Sequence, residues 1–250
     1  MDPYFWQIPV LILVGAVAGV LNVLAGGGSL LTLPLLIFFG LPAATANGTN
    51  RVAIFCQNIF AITGFKRQGI FPIRLALLCT PPALIGSYIG ANLAITVDEM
   101  VFRRLLALVM VGVLVFMIVD PLKHLQQAEK PMTPARLALL VVSFFGIGIY
   151  GGFVQAGVGF LIITGLLVHG LDLVRINAVK VLVIFAFTVV ALGVFIVHGQ
   201  VDYVLGLALA AGNSAGGWFA SHLAVKKGHE WIKRFVIATV LIFALRLLLP

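Results

Sequence analysis

Charge is what this 250-residue sequence has least of: Asp, Glu, Lys and Arg together make up 10% of it, where soluble chains carry about a quarter. With 62% hydrophobic residues beside so little charge, a soluble globular protein is excluded and a bilayer is left as the solvent. Carboxylates are scarcer still, eight against sixteen basic residues. None falls in the middle of an apolar run, so no Asp or Glu offers itself as an intramembrane proton relay. The two cysteines, Cys56 and Cys79, lie inside apolar runs, where a thiol behaves as a small hydrophobe; neither a disulfide nor a metal site is expected. His169, His198, His222 and His229 lack the paired spacing of metal ligands and read as interfacial. Ser29, Ser87, Ser143, Ser214 and Ser221 lack a nucleophile-elbow setting, and no GxGxxG follows a strand. The sequence gives no sign of an enzyme, a cofactor or a metal.

What is present is hydrocarbon-length sequence. Apolar runs from Ile8 to Leu24, Ala43 to Phe65, Ile73 to Ile95, Leu105 to Val119, Leu137 to Phe153, Ile176 to Val197, Tyr203 to Ala224 and Phe235 to Leu249 are each long enough to read as membrane spans. Met1-Asp2-Pro3-Tyr4 has no positive n-region, so the first run reads as a span rather than a cleaved leader. The net charge of +8 is spread over short loops and reports orientation rather than nucleic-acid binding. Two shorter runs, Leu30 to Phe39 and Phe160 to Val168, read as half helices.

Each half helix follows a glycine break. Ala25-Gly26-Gly27-Gly28-Ser29-Leu30 has a relaxed copy 130 positions later, Ala156-Gly157-Val158-Gly159-Phe160-Leu161. At that offset the chain also repeats Gly40/Gly170, Asn47/Asn177, Phe65/Phe195, Gly69/Gly199, Gly86/Gly216 and Arg104/Arg234, an internal duplication. Loop charges set the hand of the repeat. Residues 66 to 74 hold Lys66, Arg67 and Arg74, whereas the equivalent 196 to 204 hold only Asp202; residues 96 to 104 balance to zero, whereas 226 to 234 hold Lys226, Lys227, Lys233 and Arg234 against Glu230. Positive loops stay in the cytoplasm, so equivalent loops lie on opposite sides. The expected fold is therefore an all-α polytopic membrane protein with two inverted-topology repeats, each a glycine-broken re-entrant hairpin plus three full spans. Residues 1–119 and 135–250 form the repeats, 120–134 a cytoplasmic linker, and both termini are periplasmic.

Backbone without helical bonds is tolerated at membrane depth only where protein or a water-filled cavity supplies partners. The half helices then turn free amides and positive dipole ends toward the break, an anion site in the making. Gly26, Gly27, Gly28, Gly157 and Gly159 would supply amides, and Ser29 a cap. Close helix packing is the alternative role for such glycines. Asn47-Gly48-Thr49-Asn50-Arg51 opens the next span, and Asn177 and Lys180 open its equivalent. Intramembrane cations mark pathways, although side chains this near a span's start can also snorkel to the interface. Arg51 and Lys180 are the candidate countercharges. Asn22, Asn47, Thr49, Asn50, Gln57, Gln155 and Asn177 are the candidate neutral partners, with Asn58 and Tyr150 nearby. Asp172 reads as a helix cap.

Gly19-Val20-Leu21-Asn22-Val23-Leu24-Ala25-Gly26-Gly27-Gly28-Ser29, with Leu33-Pro34-Leu35-Leu36, Gly40-Leu41-Pro42 and Ala46-Asn47-Gly48-Thr49, resembles the first repeat of the TauE/SafE permeases. Gly151-Gly152-Phe153-Val154-Gln155-Ala156-Gly157-Val158-Gly159, Gly199-Gln200-Val201-Asp202 and Gly86-Ser87-Tyr88-Ile89-Gly90 are similar to other parts of that family. The resemblance implies a sulfite or organosulfonate exporter of the bacterial inner membrane, with anion sites at the hairpins. Thr164 stands where the first half has Pro34, and Lys180 where it has Asn50. An importer or channel for thiosulfate or sulfate remains open, as does an intramembrane enzyme or redox partner. A homodimer is compatible with the sequence.

Overall fold

A computed structural model describes residues 4–119, 133–167 and 173–223. Most of the linker, Asp172, His169, His229, the basic loop after residue 223 and the run from Phe235 lie outside the described residues. Among the described residues the chain is helical: α1 (Tyr4–Leu24), α2 (Ser29–Phe38), α3 (Ala43–Arg67), α4 (Ile73–Thr96), α5 (Glu99–Val119), α6 (Pro134–Phe153), α7 (Val158–Leu167), α8 (Leu173–Val197) and α9 (Tyr203–Leu223). The boundaries follow the apolar runs to within a few residues at most ends. At a rise of about 1.5 Å per residue, the 21 residues of α1 reach about 31 Å, the thickness of a hydrocarbon core. The ten-residue α2 and α7 reach about half that.

Among the described residues four helices, α1, α4, α6 and α8, are long and apolar enough to cross a membrane. α3 is as long as α8 but carries its polar run inward: Asn47, Thr49, Asn50, Arg51, Gln57 and Asn58 are all buried. Large apolar side chains instead cover much of the outside, Leu13, Leu77, Leu108 and Val142 among them. That inside-out distribution suits hydrocarbon, which leaves polar groups nowhere to go but the interior.

Packing is organised by small residues. α1 lies along α9 and α4 along α6, while α3 packs on both α8 and α9. In each of the first two pairs both helices present glycines four residues apart to the facing backbone. A Cβ on Gly19 would stand 2.3 Å from Asn213 O, and one on Gly216 2.0 Å from Ala16 O. In the other pair, a Cβ on Gly90 would stand 2.0 Å from Ile149 O and one on Gly152 2.2 Å from Ser87 O. Such spacing lets membrane helices approach backbone to backbone, where lipid gives no hydrophobic drive for association.

Both short helices follow sharp breaks. The amides of Ala25 and Gly26 return together to Leu21 O, each at 2.8 Å, and Gly26 turns the chain with φ +83°. Gly157 does the same after α6 with φ +74°. These left-handed values are easy for glycine and strained for residues with a Cβ.

Candidate functional site: two helix breaks and two buried cations

The two breaks touch. A Cβ on Gly26 would stand 2.4 Å from Gly159 Cα, and one on Gly159 2.3 Å from Gly26 Cα. Beside this contact lies a cavity of about 10 Å³ lined by Asn22 and Gly26 of α1 and its break, Ser29 of α2, Ile54, Gln57 and Asn58 of α3, Gln155, Val158 of α7, and Lys180, Val181 and Ile184 of α8. That volume is the room of about one water.

The structure thus brings Asn22, Gly26, Ser29, Gln57, Gln155 and Lys180 around one space. Asn22 Nδ2 donates to Gln57 Oε1 at 2.9 Å, and Asn22 Oδ1 accepts from the Ser29 amide at 3.2 Å. The cap of α2 therefore comes from α1 and not from Ser29, as the sequence had suggested. Gly28 occupies the N-cap position without a side chain to offer, and the Ser29 hydroxyl accepts from Asn50 Nδ2 at 3.2 Å.

Lys180 is completely buried. Its ammonium donates to Val23 O and to Asn177 Oδ1, both at 2.7 Å. Val23 belongs to the last turn of α1, where unpaired carbonyls and the negative end of the helix dipole favour a cation. An ammonium has three donors; among the described residues two acceptors meet this one, and Lys180 lines the cavity.

Arg51 is also completely buried, but it stands behind the cavity wall. Nη2 donates to Gly151 O at 3.0 Å and to Gly152 O, in the last turn of α6. Nη1 reaches Gln155 Oε1 at 3.5 Å, and the guanidinium lies 4.9 Å from the Phe195 ring centre. Gln155 Nε2 in turn donates to Thr188 Oγ1 at 2.8 Å. Asn47 adds a third bond to the same helix end, from Nδ2 to Phe153 O at 2.7 Å. The capping is crossed: α8 holds the end of α1, and α3 holds the end of α6.

The remaining candidates fall elsewhere. Asn50 braces α3 to α2, accepting from Thr32 Oγ1 at 2.6 Å. Thr49 accepts from the Asp202 amide before α9 at 2.9 Å. Gly27 faces the Phe160 ring. Gly157 borders a lateral crevice of about 220 Å³ with Val113, Tyr150 and Phe160.

Asn58 belongs with the site although sequence reasoning left it among the nearby polar groups. It lines the cavity, is 1% exposed, and its Nδ2 has no hydrogen-bond partner among the described residues. The signal was its register. Ile54, Gln57 and Asn58 stand at i, i+3 and i+4, one face of a helix, and all three line the cavity.

Electrostatically the region is one-sided. Arg51 and Lys180 are the only charged side chains in the buried set, and no carboxylate accompanies them among the described residues. Isolated buried charge is expensive unless something of opposite sign is supplied. Helix-end carbonyls offset part of the cost; an anion would offset more.

A multi-pass helical bundle in which two broken helices meet beside a buried cationic centre is the architecture of a membrane transporter. The chain belongs to the TauE/SafE family, since residues 11–247 match the family described as "Sulfite exporter TauE/SafE". It is 25% identical to a "Probable membrane transporter protein" of Haemophilus influenzae, over 95% of this chain and 92% of that one. It is 26% identical to "Probable membrane transporter protein ORF9" of Sinorhizobium sp, over 99% and 94%. It is likewise 26% identical to "Probable membrane transporter protein YfcA" of Escherichia coli K12, over 96% and 88%. No solved structure matches the chain.

Proposed function

We propose that this protein is a secondary transporter of the bacterial inner membrane that exports a small sulfur oxyanion, sulfite or an organosulfonate, by alternating access. The observation that carries the reading is the pair of fully buried cations, Arg51 and Lys180, without a buried carboxylate among the described residues. An oxyanion with several acceptor oxygens suits the donors that line the cavity, the Lys180 ammonium and Asn58 Nδ2. Lys180 is the direct ligand, and Arg51 acts through Gln155 and through its field.

Two inverted repeats account for the framework. α1, α3 and α4 begin 130 residues before α6, α8 and α9, and the glycine-rich contacts exchange partners accordingly: α1 packs on α9 as α6 packs on α4. With the opposed loop charges, this supports residues 1–119 and 135–250 as repeats joined by a cytoplasmic linker, with periplasmic termini and α2 and α7 as the returning arms of re-entrant hairpins. The cavity, at about 10 Å³, is smaller than any sulfonate, so the helices part to admit one. A site that closes this tightly fits a carrier better than an open channel.

The test is thermal stabilisation of detergent-purified protein by sulfite, sulfate, thiosulfate, isethionate, taurine, chloride and a carboxylate, followed by counterflow in proteoliposomes. Selective stabilisation by sulfite or a sulfonate with saturable counterflow is expected. An equal or absent response to all of them refutes the reading.

A further inference from the structure

We propose that Lys180 binds a proton together with the transported anion, so that each cycle moves one of each. The inference rests on the anion-transport reading above and adds that a proton accompanies the anion in whichever direction the anion gradient drives it. The geometry that carries it is the environment of the Lys180 ammonium. It lines the cavity, is 0% exposed, and is held only by neutral acceptors, Val23 O and Asn177 Oδ1. A lysine amine can bind or release a proton, whereas a guanidinium stays charged throughout.

The helices packed against α8 bring it no carboxylate. The titratable or charged groups they turn inward are Arg51 and Cys56 from α3, Cys79 from α4, and Tyr150 with Arg136 of the first turn from α6; α7 brings none, and α1 only Tyr4 at its start. The Tyr150 hydroxyl is committed to Ala156 O, and Arg51 is a fixed charge. Of these groups only Lys180 both lines the cavity and can change charge there. When an anion occupies the cavity, the ammonium gains the full countercharge that its present partners withhold, so anion and proton bind together. When the anion leaves, Lys180 gives its proton to water on the same side and returns neutral to meet the next anion. No other bond changes, and the loaded centre carries one added positive and one added negative charge. A monovalent sulfonate therefore crosses without net charge.

The experiment uses the full-length protein in proteoliposomes containing a trapped pH dye, with isethionate as the probe. Isethionate is a strong-acid anion, so any proton that moves with it is the protein's. Isethionate influx is expected to acidify the lumen by about one proton per anion, with an accumulation ratio indifferent to a potassium diffusion potential. Lys180→Arg keeps the charge and loses the exchange. The isethionate flux that remains, reduced because Lys180 is the direct ligand, is expected to carry no protons and to respond to potential, about 50-fold in accumulation ratio per 100 mV. Wild-type flux without proton movement overturns the proposal, whatever the variant does. Unchanged proton coupling in Lys180→Arg also overturns it. Should Lys180→Arg fail to fold, isethionate titration calorimetry of the wild type in buffers of different ionisation heat decides: proton uptake on binding supports the proposal, and none overturns it. Absence of both isethionate flux and isethionate binding in the wild type removes the sulfonate reading itself, and the coupling with it.

Discussion

The contact between the two breaks can be tested by separating its two ingredients, backbone conformation and close approach. Gly159→Ala introduces collision alone: its φ is not in the left-handed region, yet its Cβ would lie 2.3 Å from Gly26 Cα and 2.9 Å from Gly26 O. Both obstacles are backbone, so no side chain can swing aside, and the breaks must part by about 1 Å to reach ordinary contact. Overpacking of this kind costs about 1–3 kcal/mol. Gly40→Ala introduces strain alone, because φ is +95° and nothing lies within 4 Å; that costs about 1–2 kcal/mol. Gly26→Ala combines the two, with φ +83° and Gly159 Cα at 2.4 Å, for about 2–5 kcal/mol. The double variant Gly26→Ala/Gly159→Ala is expected to cost less than the sum of the singles, because breaks parted once need not part again. Thermal unfolding in detergent followed by intrinsic fluorescence reads these differences, at about 2–4 °C per kcal/mol for a chain of this size. Anion stabilisation separates them further: Gly40→Ala retains it, and Gly159→Ala loses it. If Gly159→Ala unfolds with the wild type and still responds to anions, the breaks do not meet as described.

Lys180→Met is expected to abolish the anion-induced stabilisation, which for the wild type at a hundred times Kd is about 2.7 kcal/mol. Arg51→Met is expected to weaken that response and also to lower stability in anion-free buffer, since Gly151 O and Gly152 O lose a shared donor; both effects appear in the same thermal titration. Asn22→Ala removes the acceptor for the Ser29 amide and is expected to cost about 1 kcal/mol, as loss of an N-cap does, whereas Ser29→Ala costs less; the reverse order would restore the cap to Ser29. Glu99 Oε2 accepts from the Ala43 amide at 2.7 Å while Oε1 pairs with Arg103 at 2.6 Å. Glu99→Ala is therefore expected to destabilise by about 1 kcal/mol through the start of α3, and Arg103→Ala by under about 0.5 kcal/mol, an exposed pair that salt erases.

Helix positions were legible because hydrocarbon allows few exceptions. An apolar run of about 20 residues has one stable form there, and α1, α4, α6 and α8 follow their runs closely. The glycine breaks were legible for the same reason, since Gly26 and Gly157 interrupt runs that otherwise had no cause to stop. Partner choice was not legible. Lys180 and Arg51 could be placed near their span starts, but their acceptors are backbone carbonyls of Val23, Gly151 and Gly152, and a carbonyl leaves no mark in a sequence. The Ser29 cap failed for a related reason. Local rules favour the nearest hydroxyl, while the structure uses Asn22 from the preceding helix. The paired glycines of α1, α4, α6 and α9 were visible singly, and only their registration across each interface shows why both members are small.

Crossed capping has a mechanical result. Lys180 ties the end of α1 to α8, and Arg51 with Asn47 ties the end of α6 to α3, so neither break can shift without loosening a cation from a helix end. On the reading proposed above, the arriving anion competes for those same donors. A helix end offers a cation roughly half an elementary charge, and an oxyanion offers at least a whole one, so occupancy draws Lys180 away from Val23. The hydrogen bond that fixes the first break is then given up when the site is full and remade when it is empty. A ligand moves a conformational equilibrium only by binding its states unequally, and this exchange of partners makes the binding unequal: the substrate is bound most tightly by the arrangement in which α1 is freed from α8.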